Sequence, residues 1–316
     1  MQQRVYSIDY MRLLLASFVV IGHSGMGRET FGAFGLIAIS PVLRAAVPLF
    51  AITAGFFLFR TRLRGKYWIW VKRIATLYVL WYAIYFVFMG LWNQSFGQNC
   101  RELILGFRHL WFLEGLVVAA IMMHFAIIRG PRFMMQSAIL VAAAAIVVEY
   151  ASVTHLLSMP LEFYRNGVFF LYPFMVMGYL FALERWSPEA LPWPMPRRKF
   201  WIWVAIGGFI LAVAENAVFL TVINQWALLE YQIGMFFMAP AIFAIVGTID
   251  APETDLPLGT MASAIYVMHY LFLHFANMVN PGHPLPGALV AFIVPALLVM
   301  AMIRLGRGQR WMAQLF

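Results

Sequence analysis

The chain has 316 residues, of which 63% are hydrophobic and only 11% are charged. Soluble domains average about 45–50% apolar and about 25% charged residues, so this composition excludes a soluble globule, a disordered chain and a coiled coil. A single cysteine, Cys100, excludes an internal disulfide scaffold. The remaining class is an all-α polytopic membrane protein, since the strands of a transmembrane barrel would alternate in polarity instead of forming solid apolar runs.

The apolar residues fall into ten segments that are each long enough to cross a bilayer as a helix. These segments lie at about 8–26, 36–59, 69–91, 110–128, 134–151, 167–184, 200–222, 231–249, 259–279 and 287–304. None of the loops between them is long enough to form a second domain. We therefore predict a single transmembrane domain over residues 1–316, built as a helical bundle of about ten transmembrane helices.

The net charge of +9 indicates topology more than it indicates a ligand. If the first residues are cytoplasmic, the basic loops at 60–66, 129–132, 197–199 and 304–310 all lie inside, and inner Lys and Arg outnumber outer ones by fourteen to five. The positive-inside rule then places both termini in the cytoplasm. Anionic lipid headgroups are expected partners of these loops. No nucleic-acid motif accompanies the charge, so we expect no nucleic-acid partner.

Arg12 and His23 are unusual because both lie in or beside the first apolar segment. Ionisable side chains within a bilayer are costly and usually face the bundle interior. The two residues are eleven positions apart, which is three turns plus about 20°, so they share one helix face at about 16 Å along the axis. Two structural alternatives stay open, namely snorkelling of Arg12 to the headgroups and a satisfied core histidine at His23.

Other ionisable residues of the predicted spans have equally open interpretations. Lys72 and Arg73 are either interfacial anchors or a phosphate site near the cytoplasm. His109 is either an interfacial residue or a functional one. Glu114 and Glu215 each need a partner or a proton when they are buried, which an Arg or His of a neighbouring helix would supply without any chemistry.

Metal chemistry is not expected from the histidines of the ninth segment. His269 and His274 are five positions apart, which puts them about 140° apart around a helix, so one straight helix does not aim both at one ion. The sequence also lacks a zinc-protease histidine motif, a glycine-rich phosphate loop and the serine-hydrolase elbow. We therefore predict a site without a metal.

Several segments together resemble one protein family. Ser7–Arg12 followed by Val20–Ser24 resembles the first helix of the acyltransferase-3 family, whose hallmark is an Arg and a His separated by ten residues. Val47–Leu58, His109–Phe112 and Ile265–His269 are similar to further segments of that family. The short architecture is similar to that of the enterobacterial common antigen and exopolysaccharide O-acetyltransferases within it.

The resemblance implies an O-acyltransferase of the bacterial inner membrane. Such an enzyme moves an acyl group, usually acetyl, from cytoplasmic acyl-CoA to a hydroxyl of a cell-surface or lipid-linked glycan. The resemblance implies a catalytic base at His23, with Glu114 or Glu215 orienting its imidazole. His109 and His269 would polarise the thioester carbonyl or bind sugar. An acyl-histidine intermediate at His23 is the competing mechanism.

The resemblance also implies a donor site for the CoA phosphates at Arg12, Lys72 and Arg73. The sequence departs from the family here, because many members carry two arginines three positions apart and this chain has Thr76 at the second. Lys72 supplies a substitute charge without the bidentate fork of arginine. Two other classes remain as alternatives, namely a proton-coupled transporter or flippase that uses the same charges as a relay, and a structural membrane subunit.

Overall fold

The computed structural model describes residues 4–26, 32–223 and 229–305, and within these ranges every regular element is helical. Besides short 3₁₀ turns, eleven helices follow in chain order. They are α1 (Tyr6–Ser24), α2 (Gly32–Leu63), α3 (Tyr67–Phe88), α4 (Phe96–Leu105), α5 (Trp111–Arg129), α6 (Pro131–Val153), α7 (Gly167–Trp186), α8 (Arg198–Thr221), α9 (Ile233–Val246), α10 (Leu258–Val279) and α11 (Pro284–Leu305). The predicted all-α membrane fold is confirmed.

Eight helices of the described ranges are long and apolar enough to cross a membrane, namely α2, α3, α5, α6, α7, α8, α10 and α11. Each of the ten predicted segments overlaps one helix, and the short α4 is additional. The two further segments correspond to α1, which carries Asp9 and Arg12, and to α9, which has 14 residues. The count of ten spans and the cytoplasmic termini therefore stay predictions.

The helices form two compact units, and the prediction of a single domain stays a prediction. Unit 1 comprises Met1–Ala46 and Val246–Phe316. In it, α10 packs against both α1 and α11. A Cβ added at Gly287 of α11 would lie 3.3 Å from the Cβ of Ala276, so small residues allow α10 and α11 to pack closely.

Unit 2 comprises Val47–Ile245 and is held together by close helix crossings. A Cβ at Gly55 of α2 would lie 2.0 Å from the carbonyl oxygen of Met175 in α7. A Cβ at Gly178 of α7 would lie 1.8 Å from the carbonyl oxygen of Ile52. The backbones of α2 and α7 thus touch at these two glycines, as in other membrane bundles whose helices pack through small residues.

Candidate functional site

Two imidazole rings meet in unit 1. His23 lies in the last turn of α1, and its ring centroid is 5.0 Å from that of His269 in α10, with the ring planes at 55°. Tyr270 lies edge-on to His23, with ring centroids 6.2 Å apart and planes at 89°. His269 is fully buried, whereas His23 is exposed. The structure therefore joins His23 and His269 in one aromatic cluster in which His23 is the accessible member.

The helix backbones fix how these imidazoles carry their protons. The Nδ1 atom of His23 lies 2.9 Å from the carbonyl oxygen of Val19. The Nδ1 atom of His269 lies 3.1 Å and 2.7 Å from the carbonyl oxygens of Ile265 and Tyr266. Because a carbonyl oxygen only accepts, each Nδ1 donates its N–H. In neutral His23 the lone pair is then on Nε2, which is the arrangement that a general base requires.

A cavity of about 440 Å³ opens beside His23. It is lined by His23, Ser24, Gly25, Tyr270, Leu273, His274, Asn277, Gly282, His283, Pro284 and Gly287. The four residues from α10 recur at spacings of three and four, so they form one face of that helix. The polar side chains of this lining are three imidazoles, the hydroxyls of Ser24 and Tyr270, and the amide of Asn277. The cavity therefore offers an accessible imidazole together with groups that both donate and accept hydrogen bonds.

Arg12 also faces α10, as its shared helix face with His23 predicts. Its Nη2 donates to the carbonyl oxygen of Gly259 at 3.0 Å and to Ser263 Oγ at 3.2 Å. Its Nη1 lies 3.5 Å from Asp9 Oδ1, and Asp9 Oδ2 accepts from Arg4 Nε at 2.7 Å. The Arg12 guanidinium thus ties α1 to the first turn of α10. Its predicted role toward CoA phosphates stays a prediction.

Five of the predicted site residues lie in unit 2, namely Lys72, Arg73, His109, Glu114 and Glu215. Lys72 and Arg73 are exposed near the start of α3, one turn after its basic preceding loop. His109 is buried in a 3₁₀ turn before α5, with its ring centroid 5.2 Å from that of Tyr85. Glu114 lies half-buried in the first turn of α5. The catalytic, donor and sugar-binding roles of these residues stay predictions.

Glu215 of α8 belongs to unit 2 and caps α9. Its carboxylate accepts the backbone N–H of Ile233 at 2.8 Å and of Gly234 at 2.9 Å, and it also accepts from the Tyr150 hydroxyl. A carboxylate at a helix N-terminus satisfies otherwise unpaired N–H groups and complements the helix dipole. The structure therefore shows a capping contact for Glu215, and its predicted part in orienting His23 stays a prediction.

Two groups of polar residues are not in the predicted site. Glu149 of α6 is buried and accepts the backbone N–H groups of Glu230 and Tyr231, just before α9. On α10, Tyr270 and Asn277 line the cavity together with His274. The sequence does contain a signal for the α10 group, because polar side chains at 270, 274 and 277 share one helix face beside a histidine motif.

Comparison with known proteins assigns a family to the chain. The acyltransferase-3 family model, described as an acyltransferase domain, matches residues 5–305. The match includes the Arg12 network, the paired imidazoles and the cavity. Comparisons with curated proteins and with solved structures found no match.

Proposed function

This chain belongs to the acyltransferase-3 family and is a membrane acyltransferase, and we propose that it moves an acyl group, with acetyl as the first candidate, from acyl-CoA to a hydroxyl of a cell-surface or lipid-linked glycan. The proposal places it in the inner membrane of a bacterium. The observation that carries the proposal is the exposed imidazole of His23 on a polar cavity, with its Nδ1 against the Val19 carbonyl, a contact that leaves Nε2 of the neutral ring as the basic nitrogen. Acyl transfer to a hydroxyl needs a base of this kind.

In the proposed reaction His23 acts first as a base and then as an acid. Its Nε2 removes the proton of the acceptor hydroxyl while the oxygen attacks the thioester carbonyl carbon. The tetrahedral intermediate collapses, the carbon–sulfur bond breaks and the CoA thiolate leaves. The imidazolium returns the proton to the thiolate sulfur, so the products are the ester, CoA thiol and neutral His23. The Val19 carbonyl holds the ring in one orientation throughout.

The competing reaction mechanism forms an acyl-histidine intermediate at His23. There, Nε2 of His23 attacks the thioester carbon directly, the carbon–sulfur bond breaks, and CoA leaves as the thiol after protonation by solvent. The acceptor hydroxyl then attacks the acyl carbon, the bond between that carbon and Nε2 breaks, and the hydroxyl proton passes to solvent, which restores neutral His23. The two mechanisms differ in whether the protein itself becomes acylated when the acceptor is absent. Incubation with radiolabelled acetyl-CoA alone labels the protein only in the acyl-histidine mechanism.

The donor roles rank differently once exposure is considered. Arg12 is half-buried and its side chain is 23% exposed. Lys72 and Arg73 are exposed on α3. We therefore assign the CoA phosphates first to Lys72 and Arg73, since guanidinium and ammonium groups both bind phosphate through charge-assisted hydrogen bonds.

His23→Ala tests the proposed function. In proteoliposomes given radiolabelled acetyl-CoA and a lipid-linked glycan fraction, we expect the rate of transfer to fall by about 10²–10⁴-fold, the usual contribution of a general base. The thermal unfolding midpoint should stay that of the unmodified protein. His155→Ala is the matched control, because His155 is exposed in the loop after α6. Near-normal transfer by His23→Ala would remove this residue from the mechanism, and unmodified protein that transfers no label would remove the function.

A further inference from the structure

We propose that the cavity beside His23 is the acceptor subsite and that Tyr270, His274 and Asn277 make it selective for an uncharged sugar ring. This inference rests on the proposed function and deepens it, since it names the residues that would hold the hydroxyl-bearing substrate. It is carried by the size, the charge and the helical geometry of the lining.

The size of the cavity fits a small ligand. Its volume of about 440 Å³ lies within the range of about 300–1,000 Å³ that is usual for ligand pockets. Its walls come from three elements, namely the end of α1, the last turns of α10 and the start of α11 with its preceding loop. A ligand held between these walls has one of its groups beside the His23 ring.

The chemistry of the lining favours a neutral ligand. Among the described residues around the cavity there is no Lys, Arg, Asp or Glu. Among these described residues, an anionic phosphate or carboxylate would meet no permanent cation, and a cationic ligand would meet no carboxylate. The histidines His23, His274 and His283 do not form a metal-binding group, since the described part of the chain contains no cluster of three such ligands.

The polar groups suit hydroxyls in particular. A sugar hydroxyl donates one hydrogen bond and accepts others, and neutral imidazole, amide and hydroxyl side chains do the same. His274, Asn277 and Ser24 supply these three group types within one cavity. Tyr270 adds an aromatic ring next to His23. The apolar face of this tyrosine ring suits the C–H bonds of a sugar ring.

The spacing along α10 assigns a position to each contact. Tyr270, His274 and Asn277 follow at four and three residues, so they form a row on one face of α10 that begins beside His23. A sugar ring held along this row presents one hydroxyl to Nε2 of His23 and the others to His274 and Asn277. The row thus selects which hydroxyl is acylated as well as which ring binds.

Protection of an introduced cysteine tests the site without acyl transfer. The natural chain has one cysteine, so a Cys100→Ser background carrying Leu273→Cys reports only on the cavity. The neutral probes are the methyl glycosides of glucose, galactose and mannose, and the charged probe is glucose 1-phosphate. We expect a neutral glycoside at about twice its Kd to slow maleimide alkylation about threefold by simple mass action. Met278→Cys is the matched control, since Met278 is 69% exposed on the same helix and does not line the cavity.

Two further substitutions assign the protection to named residues. Adding His274→Ala or Asn277→Ala to the Leu273→Cys protein should abolish protection by the neutral glycosides. In the transfer assay each should raise the KM for the glycan acceptor about tenfold, as expected for the loss of about 1.5 kcal/mol in hydrogen bonding. The KM for acyl-CoA should change less than twofold.

The outcomes separate this inference from the proposed function. Protection by glucose 1-phosphate alone, by no probe, or by neutral glycosides even in His274→Ala and Asn277→Ala proteins would overturn the inference. So would normal transfer with an unchanged acceptor KM in both variants, which leaves the proposed function standing. Selective protection in a protein that never consumes acyl-CoA would instead overturn the proposed function and leave a neutral-sugar site.

Discussion

Gly259 is the residue that allows Arg12 to reach α10. An added Cβ at this position would lie 2.3 Å from Arg12 Nη1 and 3.3 Å from Asp9 Oδ1. The first distance is shorter than any van der Waals contact, so a side chain here displaces the guanidinium from the Gly259 carbonyl and from Ser263. Glycine at this turn therefore leaves the space that the Arg12 guanidinium occupies against α10.

Gly259→Ala should destabilise the protein through Arg12. Losing hydrogen bonds to a charged group commonly costs about 1.5–3 kcal/mol, and thermal unfolding in detergent measures the loss. Gly207→Ala in α8 is the matched control, because nothing lies within 4 Å of its added Cβ. Alanine in a helix interior is about 0.5–1 kcal/mol more favourable than glycine, so the control should unfold at an equal or higher temperature. Equal midpoints for the two variants would contradict the steric argument.

Arg73→Ala should weaken donor binding more than acceptor binding. A lost charge-assisted phosphate contact costs about 1.5–3 kcal/mol, which corresponds to roughly 10–150-fold in affinity. Isothermal titration with CoA in detergent measures the change directly, and Arg132→Ala, at an exposed arginine of α6, controls for the general loss of charge. An unchanged CoA affinity with impaired membrane insertion would show that Arg73 is an interfacial anchor.

The sequence predicts the face of α1 but not the partners of its residues. The spacing of Arg12 and His23 needs only helical geometry, and both side chains indeed contact α10. The partner of Arg12, however, lies 247 positions away in the chain. The contact of Arg12 with Asp9 follows from helix geometry, since the two residues are i,i+3 neighbours. Periodicity carries no information about which distant carbonyl a guanidinium reaches.

At the scale of elements, α9 depends on side chains from other helices. It has 14 residues and begins where Glu215 of α8 accepts two of its first N–H groups. Glu149 of α6 accepts the N–H groups of Glu230 and Tyr231 just before it. Backbone N–H groups inside a membrane domain must be paired, because lipid offers no acceptor. The two carboxylates therefore fix where this helix starts.

Glu215→Ala should act on stability rather than on chemistry. Each buried donor that loses its acceptor costs about 1–3 kcal/mol, and the variant leaves the Ile233 and Gly234 N–H groups without this acceptor. Glu215→Gln keeps one acceptor oxygen and should retain part of the stability. We expect a lower unfolding midpoint and near-normal transfer per folded molecule, with exposed Glu184→Ala as the control. A large loss of transfer at an unchanged midpoint would instead support the predicted catalytic role of Glu215.

Apolar runs predict where helices lie, because a chain segment in lipid must pair its own backbone groups and therefore forms a helix. The predicted segment at 231–249 overlaps α9, which begins at Ile233. The same pattern does not show that the backbone before Ile233 is held by carboxylates. Hydropathy reports how apolar a residue is, and it does not report which N–H group a distant carboxylate accepts. The capping of α9 therefore follows only from the structure, whereas the polar face of α10 is already present in the spacing of residues 270, 274 and 277.

At the scale of the whole molecule, the direction of α10 relative to α1 bears on topology. Residue 12 of α1 contacts residues 259 and 263, and residue 23 contacts residues 269 and 270, so the two helices run parallel. Parallel neighbours cross a membrane in the same direction, which requires an odd number of crossings between them. The seven spans predicted between α1 and α10 meet this requirement.

The predicted orientation has a direct consequence for the cavity. With the first residues in the cytoplasm, the loop between α2 and α3 is inside and the loop between α10 and α11, whose Gly282 and His283 line the cavity, is outside. In a Cys100→Ser background we therefore expect an impermeant maleimide to label Asn280→Cys in intact cells and Lys66→Cys only after permeabilisation, and both positions are exposed in the structure. The reason is the basic loop at 60–66, which the positive-inside rule keeps in the cytoplasm. Labelling of both variants in detergent controls for reactivity. The reverse pattern in intact cells would place the His23 cavity on the cytoplasmic side, and an acceptor on the cell surface would then not reach it.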